Sequence, residues 1–448
     1  MSWIPDRQRV VSPGPLDGSP IGVLSGSPSP LQWAFASALS PTAFLDVKKT
    51  STAVFNVAEI LSQLVAIPSV NPMGRPSSGP EYGEARLTGH LESLFRRLGL
   101  RSERQVVDPG RENIVARLDG ADPPEAGGGL ILFSAHQDTV PVTGMTIPPF
   151  TPRVEGGRLY GRGACDVKGG MAAMLAALAR LHQERPPRLP TVVLACTVNE
   201  EYGFSGADAL PRVWSGCCGA IIPRRPDAAV VAEPTSLAVV VAHKGLVRWR
   251  CHTRGRAAHS AYPERGDNAV YKMAPVLRAL ERYQKEIVGK LASHPRCGPA
   301  TLNVGTISGG VSVNTVPDRC TIEIDRRLAP QEDPHQARQH LIDYLEPQVG
   351  LGQQLEHDPP FMRGLPLSDD ANAALADRLA AVAREVAGEG RKIGVPYATD
   401  AASLAAAGVP AVVFGPGSIE QAHTADEWIA LDAVEKAADV YYRFVKAS

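Results

Sequence analysis

The stretch G-L-I-L-F-S-A-H-Q-D-T-V, Gly129 to Val140, sets an uninterrupted apolar run directly before a histidine and an aspartate. Seven apolar or small residues without alternation read as a strand covered on both faces, as in a sheet with helices on either side. Three further runs have this character: T-V-V-L-A-C-T-V (Thr191 to Val198), A-A-V-V-A (Ala228 to Ala232) and V-P-A-V-V-F (Val409 to Phe414). Each is followed within a few residues by His, Asp, Glu or a glycine-rich loop leading to His. Lys168 to His182, rich in Ala, Leu and Met at helical spacing, gives the order strand, helix, strand. Open α/β sheets bind ligands beyond the carboxyl ends of their strands, where these polar residues fall.

Outward from this centre, Val54 to Ala66 and Glu81 to Leu98 have helical spacing, and residues 1–51, rich in Ser, Pro and Gly, read as a flexible N-terminal extension. From about Val239 to Glu346 the pattern changes. Val239 to His252, Ala300 to Ile307 and Cys320 to Leu328 read as strands, Asn268 to Ile287 and Pro334 to Leu345 as helices. Helix and strand signals of the first kind resume at Ala371 to Val386 and Pro410 to Phe414. The expected architecture is therefore a discontinuous catalytic domain, 52–238 and 347–448, with a smaller α+β lid, 239–346, inserted into it.

Composition narrows the function. Lys and Arg total 46 against 47 Asp and Glu, so the basic excess of a nucleic-acid binder is missing and a small-molecule partner is expected. The seven cysteines are odd in number and form no C-x-x-C pair, which speaks against a disulfide framework or thiolate zinc site and for a reducing, cytoplasmic location. No apolar run reaches the roughly 18 residues of a membrane helix; Leu31 to Leu45 is broken by Ser, Thr and Pro41. The same segment lacks the basic flank of a signal peptide, and A-S-A at Ala36 to Ala38 is its one cleavage-like patch.

Seven polar positions carry the chemistry by their joint placement. They are His136 and Asp138, Asp166 in Y-G-R-G-A-C-D-V-K-G-G, Glu200 and Glu201 in V-N-E-E-Y-G, Glu233 in V-A-E-P-T, and His423 in Q-A-H-T-A-D-E-W. Imidazole and carboxylate ligands suit zinc or a related divalent ion, and two ions about 3.5–4 Å apart need a carboxylate between them. A carboxylate two residues from a histidine in extended chain can accept the second imidazole N–H, so Asp138 is expected to orient His136. Of Glu200 and Glu201, one can bind metal while the other takes a proton from water. Singly, H-x-D is ordinarily a hydrogen-bonded pair and E-E a solvated face. The Asp166 segment lacks the G-K-[ST] of a phosphate loop. Four strand ends that all deliver metal-type ligands are poorly explained by chance.

The motifs H-Q-D-T-V-P, G-R-L-Y-G-R-G-A-C-D-V-K-G-G-M-A-A-M, N-E-E-Y-G-F-S-G-A, A-E-P-T-S-L, H-K-G, G-R-A-A-H-S-A-Y-P and F-G-P-G-S-I-E-Q-A-H-T-A-D-E-W together resemble the M20 metallopeptidase family. Within it they are most similar to acetylornithine deacetylases and succinyl-diaminopimelate desuccinylases. The resemblance covers Thr52 to the C-terminus. It implies a zinc-peptidase-like α/β domain, a mixed sheet flanked by helices, carrying a lid that also serves dimerisation. It implies two divalent ions, zinc or cobalt, bridged by Asp166, with His136 and Glu233 completing one site and Glu201 and His423 the other. Glu200 would be the general acid/base and Asp138 would orient His136. His259 in G-R-A-A-H-S resembles a histidine that reaches across a homodimer interface to polarise the substrate carbonyl. Asn314 and Arg327 resemble positions that hold the substrate carboxylate, a task suited to the Arg fork. Arg326 competes with Arg327, because a strand alternates faces. Gly415 and Gly417 would let backbone approach the substrate, and turn formation explains them as well.

The expected reaction is hydrolysis of an N-acyl amino acid of N-acetylornithine type, by a metal-bridging water that Glu200 activates. The rivals are desuccinylation of an N-succinyl diamino acid, which needs a further cation near the site, and aminoacylase or dipeptidase activity. A non-catalytic binding protein that kept the fold is the reading from another class, and the intact Glu200 and ligand set speak against it.

Overall fold

The structure, a computed structural model, describes residues 56–215 and 221–448. The extension proposed for residues 1–51 lies outside the described residues.

The four apolar runs are strands of one eight-stranded mixed sheet: Leu130–His136, Thr191–Thr197, Ala228–Val231 and Ala411–Val413. Leu130–His136 lies at the centre, parallel to both Thr191–Thr197 and Ala228–Val231, and Ala411–Val413 continues parallel beyond Ala228–Val231. Antiparallel strands Arg101–Asp108 and Arg111–Leu118 extend one side; Val239–His243, antiparallel to Ala411–Val413, and Lys392–Val395 extend the other. The absence of alternation in the sequence has its cause here. Ile131, Phe133 and Ala135 enter the apolar core on one face, Leu130 and Leu132 the core on the other, so both faces of the strand are dry. Helix Gly169–Glu184 packs on the first face with Val57–Val65, Ala85–Arg97 and Leu431–Lys446.

A second, five-stranded antiparallel sheet runs through Thr301–Gly309, Arg319–Leu328, Gly245–Arg254 and Leu355–His357, with Met362–Gly364 also on Gly245–Arg254. Helices Ala269–Arg282 and Pro334–Val349 cover it around a separate core that includes Trp249, Met273, Tyr283 and Leu341. Two boundaries differ from those read in the sequence. Val239 to His252 is not one strand: Val239–His243 belongs to the large sheet, and the chain enters the small one at Gly245, where a side chain would lie 2.6 Å from the Gly364 carbonyl. The short strands Leu355–His357 and Met362–Gly364, three residues each, return to the insert after position 346. We therefore propose an insert of residues 245–364 rather than 239–346.

His243, at the end of its strand, shows how strongly this interior selects protonation state. Its Nδ1 lies 3.0 Å from the Lys244 carbonyl and its Nε2 3.1 Å from the Thr399 hydroxyl, a donor and an acceptor contact that together suit the neutral ring. Burial pushes its pKa down to about 4. The unfolded chain takes up this proton near pH 6.5 and the folded chain only near 4. Stability is therefore full above pH 6.5 and lost as pH falls towards 4, by about 3 kcal/mol at 1.36 kcal/mol per pH unit. The melting temperature of His243→Asn is expected to fall less steeply over that window than that of the wild type. Equal slopes would contradict the assignment.

Candidate metal centre

The large sheet brings His136, Asp166, Glu200, Glu201, Glu233 and His423 together beyond the carboxyl ends of its parallel strands. His136 is the last residue of its strand, Glu200 and Glu201 follow Thr197, and Glu233 follows Val231. Asp166 lies in the irregular turn before helix Gly169–Glu184, and His423 in the loop before strand Trp428–Ala430. Ligating atoms of His136, Glu200 and Glu233 lie within 4.8 Å of one another, as do those of His136, Asp166 and Glu201. Asp166 sits between the two histidines, Oδ1 3.1 Å from His136 Nε2 and Oδ2 3.2 Å from His423 Nε2; the latter is also 3.3 Å from Glu201 Oε2.

The electrostatics ask for a cation. His136 Nδ1 lies 2.9 Å from the Asp138 carbonyl oxygen, which can only accept, so Nδ1 carries the hydrogen and the Nε2 lone pair faces the Asp166 carboxylate. That approach is repulsive unless a proton or metal ion lies between. With a proton there, burial opposes charging of the imidazole, and Asp166, Glu200 and Glu233 outweigh it and hold its pKa well above the usual value. His423 is pushed up to about 10 by its bonds to Asp166 and Glu201. Burial and the Glu233 charge raise Glu200 well above the carboxylate range; burial and Asp166 do the same to Glu233. The Oε1 atoms of Glu201 and Glu233 are buried without a hydrogen-bond partner. Buried, clustered and partly unpartnered carboxylates are costly unless a positive charge joins them, and imidazole with carboxylate is the donor set of zinc and related ions. The residues fit a pair of divalent ions.

The surrounding bonds explain how the loop after Thr197 is held. Asp138 fixes the His136 ring through its main-chain carbonyl, its Oδ1 lying 3.7 Å from the same nitrogen. Its carboxylate instead accepts the backbone N–H groups of Glu200 and Glu201, both at 3.1 Å, and an amide hydrogen of Asn71 at 2.8 Å. Asn71 also donates to Asn199 Oδ1, which anchors a residue at φ 64°. Asn71, Asn199 and buried Asp400 were not singled out in the sequence. Asp400 accepts from Thr197 at 2.7 Å, and burial pushes its pKa up to about 7. The only local signal for it was an acid opening the apolar helix Ala401–Ala406, which reads as a helix cap.

The remaining sequence candidates lie elsewhere or have structural duties. Gly415 passes the Glu233 strand end so closely that a side chain would lie 2.5 Å from the Glu233 carbonyl; Gly417, at φ +84°, would meet Cys165 Sγ at 2.6 Å. His259 and Asn314 are exposed on the insert: His259, on a two-residue strand, pairs with Thr315, and the Ser260 N–H donates to the carbonyl of Asn314, in the turn just before Thr315. Arg326 is fully buried, bonded to Glu332, whereas Arg327 is part-exposed beside Asp325, which separates the two arginines by face. Lys168, in the segment whose phosphate-loop reading the sequence already excluded, is buried with its ammonium on the Ile67 carbonyl at 2.8 Å.

The family model for peptidase family M20/M25/M40 matches residues 132–447, more than half of the chain. The chain belongs to the M20 family. An acetylornithine deacetylase of Vibrio campbellii is 29% identical over 408 residues, 86% of this chain and 96% of the relative. A probable succinyl-diaminopimelate desuccinylase of Staphylococcus aureus is 29% identical over 391 residues, 80% of this chain and 91% of the relative. Among solved structures, a dinuclear metal binding peptidase of the M20 family from Bacillus subtilis superposes with a TM-score of 0.61 at 17% identity, covering 88% of this chain and 98% of that one. As an M20 member the chain is a metal-dependent hydrolase of the amidohydrolase kind, in a family that binds metals in pairs. No helix among the described residues is long and apolar enough to cross a membrane.

Proposed function

We propose that the chain hydrolyses the amide bond of an N-acyl amino acid, with N-acetylornithine-type deacetylation the leading substrate class. The observation that carries this reading is Asp166 between His136 and His423, one carboxylate oxygen towards each. In it Asp166 would be shared by two ions, zinc or cobalt, one of which His136 and Glu233 would hold and the other Glu201 and His423. When bound, such ions lower the pKa of a coordinated water to about 7 and polarise the substrate carbonyl.

The chain's own groups then account for proton traffic. Glu200, beside His136 and Glu233, removes a proton from the attacking water as its oxygen bonds to the acyl carbon. As the C–N bond breaks, Glu200 returns that proton to the leaving nitrogen, giving the amine and a carboxylic acid, whose own proton then passes to the amine to leave ammonium and carboxylate. Asp138 holds the Glu200 and Glu201 peptide groups, so the base stays beside the ligands. Arg327 and Asn314 are assigned to the substrate carboxylate and Gly415 and Gly417 to close backbone approach. A cleft of ≈ 320 Å³ beside Tyr202, the residue after Glu201, is lined by Arg75, Arg248 and Arg250 together with Glu323 and Asp325.

The reading includes a homodimer formed through the insert. Thr301–Gly309 is the open edge of the small sheet, and Val311 and Val313, which follow it, are 90% and 100% exposed, with Tyr271 at 77%. An unpaired edge beside exposed apolar side chains is what a second copy would cover. His259 then acts on the partner's substrate. Mixing inactive Glu200→Ala with inactive His259→Ala subunits is expected to restore part of the activity; no recovery despite demonstrated exchange would place His259 outside the mechanism in trans.

The substrate class is tested by kcat/KM on N-acetyl amino acids, N-succinyl diamino acids and dipeptides, with metal content measured alongside. The N-acetyl compounds are expected to lead. A preference for dipeptides would replace deacylation by peptidase activity.

A further inference from the structure

Glu427 lies four residues after His423, is fully buried, and bonds to backbone N–H groups and an arginine rather than to the ligand side chains named above. Its carboxylate is surrounded by donors. Oε1 accepts the backbone N–H groups of Cys165 at 2.8 Å and Asp166 at 3.0 Å; Oε2 accepts that of Gly163 at 2.9 Å and the Arg162 guanidinium at 2.7 Å. Arg162 reaches on to the Thr424 carbonyl at 3.3 Å and the Pro141 carbonyl at 3.4 Å. Backbone bonds close the same joint: Gly161 donates to the Glu427 carbonyl, Thr146 to the Ala425 carbonyl, and Trp428–Ala430 pairs with Arg158–Tyr160.

We propose that Glu427 is a positioning residue that locks the Asp166 turn to the segment carrying His423, so that these two ligands move as one unit. The inference rests on the two-ion reading above. The physical reason lies in the donor count. The turn at Asp166 is irregular, with non-helical backbone at Asp166 and Val167, and does not satisfy its own N–H groups as a regular helix would. A carboxylate offers two acceptor oxygens to three N–H groups and one guanidinium; an amide in its place would turn an NH₂ against N–H donors in either orientation. Glu427→Gln thus keeps the shape and the backbone bonds but weakens the joint at the Asp166 turn. His136 and Glu233, carried on other strands, keep their places.

The test is zinc titration of metal-stripped protein, followed by calorimetry and by turnover against added zinc. Wild type is expected to bind two equivalents; fewer than two would overturn the two-ion reading itself, independently of Glu427. Given two in the wild type, Glu427→Gln is expected to weaken the equivalent assigned to Glu201 and His423 by about 10- to 100-fold, to leave the other less affected, and to regain turnover in excess zinc. Two equivalents with unchanged affinities would overturn the role of Glu427. Should Glu427→Gln fail to fold, Arg162→Lys, which keeps the charge but cannot span Glu427 and Thr424 together, is read in the same titration. Weakening of one equivalent supports the joint, and unchanged binding overturns it.

Discussion

Glu200→Gln is expected to keep its full complement of metal and to lose turnover by about 100- to 10,000-fold, the range that removal of a general acid/base produces. Adjacent carboxylates divide the labour. Glu201 lies 3.3 Å from His423, whereas Glu200 groups with His136 and Glu233. In the proposed scheme Glu201 holds an ion and Glu200 does not. Gln keeps the size of Glu200 and its backbone bond to Asp138, so the loop after Thr197 should stay in place. The loss should fall on kcat, because the proton is moved only during the reaction. Metal content, substrate affinity and single-turnover rate measured together decide it. Near-normal turnover with full metal would remove Glu200 from the mechanism.

Asp166→Asn is expected to act by the opposite route: turnover falls at least as far, and metal content falls with it. Both Asp166 oxygens are in use, one towards each histidine. An amide supplies one oxygen and one NH₂, and the NH₂ cannot face a cation. The same dependence should appear in the wild type, where chelation abolishes activity and zinc or cobalt restores it. Asp166→Asn that retained two equivalents of metal, or wild-type rates unchanged after verified metal removal, would contradict this. The pair of variants separates a site that holds metal without moving protons from one that cannot hold the pair.

Much of this arrangement was legible in the sequence because its signals were local. The run Leu130 to Ala135 must be buried on both faces, and the residue after it must emerge at a strand end; the sheet places His136 there. The Glu200–Glu201 pair and Glu233 follow the same logic. What stayed hidden depends on contacts distant in sequence. Asn71 meets Asp138 across 67 residues, Asp400 meets Thr197 across 203, and Glu427 meets Asp166 across 261. No periodicity or spacing encodes such pairs. The bond at Asp138 differed for a geometric reason: the strand ends at His136, so the alternation that would aim the Asp138 carboxylate at the ring has stopped, and the nearer carbonyl takes the ring N–H. The boundary at Lys244 was missed because V-V-V-A-H-K-G-L-V-R-W-R is apolar enough to read as one strand, although its halves serve different sheets. The faces of Arg326 and Arg327 became distinct only in the structure, where the strand Arg319–Leu328 buries every second residue, Arg326 among them.

Two divalent ions gathered by His136, Asp166, Glu201, Glu233 and His423 underlie the proposed chemistry. Anomalous diffraction from crystals of the zinc-loaded protein tests this most directly. The expected result is two peaks about 3.5–4 Å apart with the Asp166 carboxylate between them, His136 and Glu233 on one, Glu201 and His423 on the other. A zinc-saturated crystal with one peak or none at these residues, or with both ions held by other side chains, would contradict it.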